Sequence, residues 1–107
     1  MRAPLTDAAT ALLGALRVHF VHFAGFELEE MSSRRWSSVT FRGARLELAF
    51  RLEGEGAEAA AGRFLSGLDA SALPLRGHLL ADLRLVAEER RPGRARIRLS
   101  ALTVEED

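Results

Sequence analysis

The sequence predicts one α+β domain: a two-layer sandwich in which an antiparallel sheet of about five strands is covered on one face by two helices, in the order α-β-β-β-α-β-β. Three observations carry this. Two segments repeat apolar residues at helical spacing, several others alternate apolar and polar residues, and glycine or proline stands at the breaks between them.

The first helix is expected from Asp7 to Ala24. Thr6 suits its N-cap, and Ala9, Leu12, Leu13, Leu16, Phe20 and Phe23 form one apolar face, with Gly25 placed to end it. A short strand is expected over Phe26–Met31, with a turn at Ser32-Ser33. The next hairpin is read around a two-residue turn at Gly43-Ala44, because glycine in the first position fits type II′. That register sets Phe41 opposite Leu46, Val39 opposite Leu48 and Trp36 opposite Arg51.

Gly54-Glu55-Gly56 closes the hairpin. Ala57 to Leu68 then shows a second apolar stripe of Ala60, Ala61, Phe64, Leu65 and Leu68. After a connection containing Pro74, Leu79, Ala81, Leu83, Leu85 and Ala87 alternate as a strand. Their partner carries Ala95, Ile97, Leu99 and Ala101, joined through Pro92-Gly93. At Leu102 and Val104 the apolar phase slips by one, which predicts a bulge near Ala101. The order holds an echo of helix-then-hairpin, although no repeated sequence supports a duplication.

A length of 107 residues suits a single domain spanning 1–107. Fifteen arginines balance fifteen acids, and lysine, asparagine, glutamine, tyrosine and cysteine are absent. Absence of residues with AT-rich codons points to a GC-rich, bacterial-type genome, so arginine abundance by itself says little about phosphate binding. Neutral net charge removes the long-range field of a general nucleic-acid binder. Lack of cysteine excludes disulfides and thiolate chemistry and fits a cytoplasmic location. Arg2 followed by an Ala/Leu run superficially resembles a secretory signal, but charges bracket it and no cleavage site follows. No apolar stretch reaches the ~20 residues that cross a bilayer, and no membrane partner is expected.

Candidate chemistry is sparse. Gly54-Glu55-Gly56-Ala57-Glu58-Ala59 fits G-x-G-x-x-A, yet Glu55 and Glu58 put negative charge where a pyrophosphate would sit, so no cofactor is expected. His19 and His22 lie three apart, with His78 opening a strand. No carboxylate is spaced to complete a metal site with them, and packing roles fit them better. Neither serine nor acid spacing names a nucleophile or a general base. Catalytic residues are therefore not assigned, and the chain is expected not to be an enzyme.

Two surface features remain. Trp36, the single tryptophan, is placed on the outer sheet face with Arg51 and Arg84 nearby, the composition of an interface anchor. This makes a non-enzymatic interaction or self-association module, expected as a homodimer or bound to another protein, the leading reading. The alternative is nucleic-acid binding through the hairpin carrying Arg90, Arg91, Arg94, Arg96 and Arg98. Glu88 and Glu89 beside that cluster favour a self-neutralised edge instead.

Overall fold

A computed structural model describes residues 7–23, 25–69 and 73–106. Its elements run α1 (Asp7–His19), β1 (Phe26–Ser37), β2 (Arg42–Glu53), α2 (Ala57–Ser66), β3 (His78–Arg91) and β4 (Arg94–Glu105). The four strands form one antiparallel sheet in the order β1-β2-β4-β3. Both helices pack on the same face, α1 over β1 and β2, α2 over β2, β4 and β3. The α+β class, the antiparallel sheet and its two helices stand as expected.

The expected five strands and their order do not. Ser32 and Ser33 lie inside β1, which runs unbroken for 12 residues where a strand, turn and second strand were expected. They can do so because β1 is an edge strand: Ser32 lies on the uncovered face opposite Glu47, and Ser33 is half-buried at the margin of the helix-covered face opposite Leu46. The hairpin turn is Ser38-Val39-Thr40-Phe41, not Gly43-Ala44. Ser38 N–H donates to the Phe41 carbonyl at 2.8 Å, and Phe41 N–H donates to Ser38 Oγ at 3.1 Å. Trp36 consequently faces Gly43 rather than Arg51, and Arg51 faces Glu27.

What remains is helix-hairpin twice, with the two α-β-β units joined along β2 and β4. Those central strands hold the core: Leu46, Leu48, Phe50 and Leu52 on β2 face Ala101, Leu99, Ile97 and Ala95 on β4. Leu12, Leu16 and Phe20 reach them from the first helix and its final turn, and Ala57, Ala61 and Phe64 from the second. Regular helix stops at His19. The chain leaves through turns in which Phe20 N–H still donates to the Leu16 carbonyl, keeping Phe20 in the core. Thr6 and Ala24 lie outside the described residues. The second helix closes at Ser66, two residues before the expected Leu68.

Thr103 is the buried polar side chain of this core. Its hydroxyl accepts from Ala44 N–H at 3.2 Å and lies 3.3 Å from the Ala44 carbonyl, cross-linking β2 and β4. Replacing it with valine keeps the shape but removes both hydroxyl contacts to the Ala44 backbone. Urea denaturation of Thr103→Val is expected to show a loss of about 1–2 kcal/mol.

β4 is regular through Ala101, where a bulge was expected. The bulges fall on the edge strands, at Glu29 in β1 and at Ala81 and Val86 in β3. They break the simple alternation read for β3: Leu80 and Leu83 are buried, while Leu79, Leu85 and Val86 are exposed. Leu102 and Val104 are apolar residues on the face away from the helices, not members of a shifted core stripe.

Candidate functional site

Residues directly opposite each other in an antiparallel pair share a face, so the register lays out the outer surface row by row. At one end runs Trp36–Gly43–Val104–Leu79, across all four strands. The next row is Arg34–Arg45–Leu102–Asp82, and the next Ser32–Glu47–Ser100–Arg84. Beyond these come Glu30–Ala49–Arg98–Ala87 and Glu27–Arg51–Arg96–Glu89. Two chemically different halves result.

The half near the Pro92-Gly93 turn is an ion-pair lattice. Arg51 touches Glu27 at 2.7 Å, Glu29 at 3.1 Å and Glu53 at 3.0 Å. Arg94 pairs with Glu53, Arg96 with Glu29 and Arg98 with Glu30. The β1 bulge helps, because it turns Glu29 and Glu30 together toward these guanidinium groups. Along β3 the pairs are local: Asp82 with Arg84, Glu88 with Arg90, Glu89 with Arg91. Stems of the long side chains cover Ala49, which is 8% exposed on a face that no helix shields. Each of Arg90, Arg91, Arg94, Arg96 and Arg98 thus pairs with a carboxylate. Electrostatic attraction available to a phosphate backbone is reduced accordingly. Arg51 and Arg84, expected beside Trp36, belong to these pairs; Arg51 lies at the far end of the sheet from it.

The opposite half is apolar and basic. Trp36 lies across Gly43, and its indole N–H is buried without a hydrogen-bond partner among the described residues. Leu79 is 57% exposed, and the adjoining turn presents Phe41 at 58% and Val39 fully to solvent. Arg34 and Arg45 stand directly opposite each other on this face. They flank a groove of about 350 Å³ lined also by Ser32, Ser33 and Glu47. Among the described residues, no carboxylate reaches ion-pair distance of Arg34, Arg35, Arg42 or Arg45.

In the sequence, Trp36 is the interface candidate that falls in this half, and Arg34, Arg35, Arg42 and Arg45 read as added charge near the same hairpin. Leu102 and Val104 left one further signal, the change of apolar phase, which marks residues facing outward rather than a bulge.

The histidines are dispersed. His19 packs edge-on against Phe20 and Phe64 with ring centroids 4.8 and 5.0 Å apart, and His22 is exposed in the turn after α1. His78 sits across the molecule, beside Asp7, Arg35 and Glu105 around a small cavity of about 30 Å³. Among the described residues, no three histidine or acidic side chains converge as metal ligands. The Gly54-Glu55-Gly56 segment follows an antiparallel strand, and Glu55 and Glu58 are exposed at the start of α2. No helix of the described residues is long and apolar enough to cross a membrane.

No protein-family model matches the chain, and no curated protein matches it. Among solved structures, it is similar to a chain in the virion of a native gene transfer agent particle. The two share a TM-score of 0.55 and 20% identity, over 92% of this chain and 94% of that one. At that identity the likeness is one of fold.

Proposed function

We propose that this protein is a non-enzymatic structural subunit that associates with copies of itself or with other protein subunits through the uncovered sheet face. The observation that carries this reading is the apolar row Trp36–Gly43–Val104–Leu79, continued by Leu102 and by Phe41 at the turn. Large side chains clustered on a face without a covering layer are the composition of a protein interface. The fold likeness to a chain of a multi-subunit virion particle supports an assembly role. Closed self-association is also the commonest way a small domain satisfies such a face.

Light scattering after size exclusion tests this at rising protein concentration, in low and high salt. The expected result is a salt-resistant species larger than the monomer that reverts to monomer in Phe41→Ser/Leu79→Ser. Both residues are exposed, so the fold tolerates the change. A monomer at every concentration refutes self-association. A monomer that shifts only with short nucleic acids at low salt favours the Arg90–Arg98 hairpin instead.

A further inference from the structure

We infer that the Arg34–Arg45 groove beside Trp36 receives a carboxylate-bearing protein segment whose neighbouring large apolar side chain packs on the Trp36 row. This rests on the assembly reading above and names the chemistry of what that face binds.

The first argument is electrostatic. Like charges directly opposite on one face of an antiparallel pair are destabilising, and Arg34 opposite Arg45 is such a pair. Elsewhere in the same sheet the arginines meet carboxylates within the chain, as Arg51 does with three of them. Near the β1–β2 turn this compensation stops. Two planar guanidinium forks beside a groove suit a carboxylate, which each can hold through two parallel N–H donors.

The second argument is the surroundings. Along a strand, residues two apart on one face are separated by about 6.8 Å, which sets Trp36 next to Arg34 and places Gly43 next to Arg45. A segment whose acids enter the groove therefore brings an adjacent side chain over the indole and toward Phe41. Charge and apolar area lie side by side, as they do in protein partners.

A phosphate backbone fits less well. Glu47 lines the same groove. A nucleic acid would carry regularly spaced negative charge past it, whereas a protein segment places its carboxylates selectively.

Trp36 is the sole tryptophan, so its emission reports the site without a label. The probe is the capped peptide Glu-Glu-Phe-Glu-Glu, with Ser-Ser-Phe-Ser-Ser and a thymidine hexanucleotide as controls. The acidic peptide is expected to shift the emission saturably, and to bind roughly tenfold or more weakly to Arg34→Ser/Arg45→Ser, as loss of charge-assisted bonds requires. Arg94→Ser/Arg96→Ser should bind as the parent does. The Arg34/Arg45 variant should also melt no lower than the parent, because it removes opposed charges, whereas a purely structural role would lower its melting point. The inference is overturned by an unresponsive Trp36 at millimolar acidic peptide, by equal binding to the Arg34/Arg45 variant, or by tighter binding of the hexanucleotide. Light scattering on the same samples separates the two proposals. A monomer that binds the peptide refutes self-association alone, and a monomeric Phe41→Ser/Leu79→Ser variant whose Trp36 ignores the peptide refutes the groove alone.

Discussion

Phe50→Ala is expected to lower the unfolding free energy by about 3–5 kcal/mol, the largest loss from truncating any one side chain of the core. Phe50 is fully buried on β2 at the point where three other elements meet. Its ring centroid lies 5.5 Å from Phe20 after α1, 5.3 Å from Phe26 at the start of β1 and 5.9 Å from Phe64 on α2. Those neighbours are held by separate elements, so they cannot close together over the space that alanine leaves. The uncollapsed cavity adds to the lost transfer energy. Domains of this kind hold about 5–15 kcal/mol in total, so the variant sits close to unfolding at room temperature. Phe50→Leu, which keeps most of the volume, is expected to lose roughly 1.5 kcal/mol or less. Paired urea titrations check both; a loss under about 1 kcal/mol for the alanine variant would mean that the aromatic cluster is not the hub joining helices to sheet.

That hub was legible in the sequence, and the outer face largely was not. Helical spacing located both helices, and it named Leu12, Leu16, Ala61 and Phe64 as inward-facing, because each helix buries one stripe on one sheet. Pro92-Gly93 marked its turn for a local reason: proline sets the first turn dihedral, and Gly93 takes a φ of +72°. Errors gathered where local and tertiary signals conflict. Ser32-Ser33 reads as a turn by composition but lies on an edge strand, and Gly43 reads as a turn glycine but is held in the sheet by contacts from β1 and β4. One displaced turn moved every partner of Trp36, since register is a property of two strands and not of either alone. The ion pairs divide in the same way. Asp82–Arg84, Glu88–Arg90 and Glu89–Arg91 are two residues apart on one strand and readable locally. Those of Arg96 and Arg98 with β1 depend on a bulge that composition does not mark. Which arginines lack a carboxylate, and so where a partner docks, follows only from that register.

Gly43 concentrates the point, and Gly43→Ala is expected to cost about 3 kcal/mol or more. A Cβ built there falls 1.8 Å from the Thr103 carbonyl oxygen and 2.9 Å from Trp36 Nε1. The indole could swing aside, but the carbonyl belongs to the β4 backbone. Moving it strains the β2–β4 pairing and the Thr103 contacts with Ala44. Overpacking ordinarily costs 1–3 kcal/mol when side chains absorb it, and a backbone obstacle places this variant at or beyond the upper end. Gly14→Ala is the matched control. It lies within α1 with open space around its added methyl, and alanine there is expected to stabilise by about 0.5–1 kcal/mol. The same substitution should thus act in opposite directions at the two sites. In Gly43→Ala the Trp36 emission should also move toward that of a solvent-exposed indole before global unfolding, because the methyl displaces the ring from its seat. Tolerance of alanine at Gly43, with unchanged emission, would mean that Trp36 does not lie across β2. The row on which the assembly surface is built would then lose its first member.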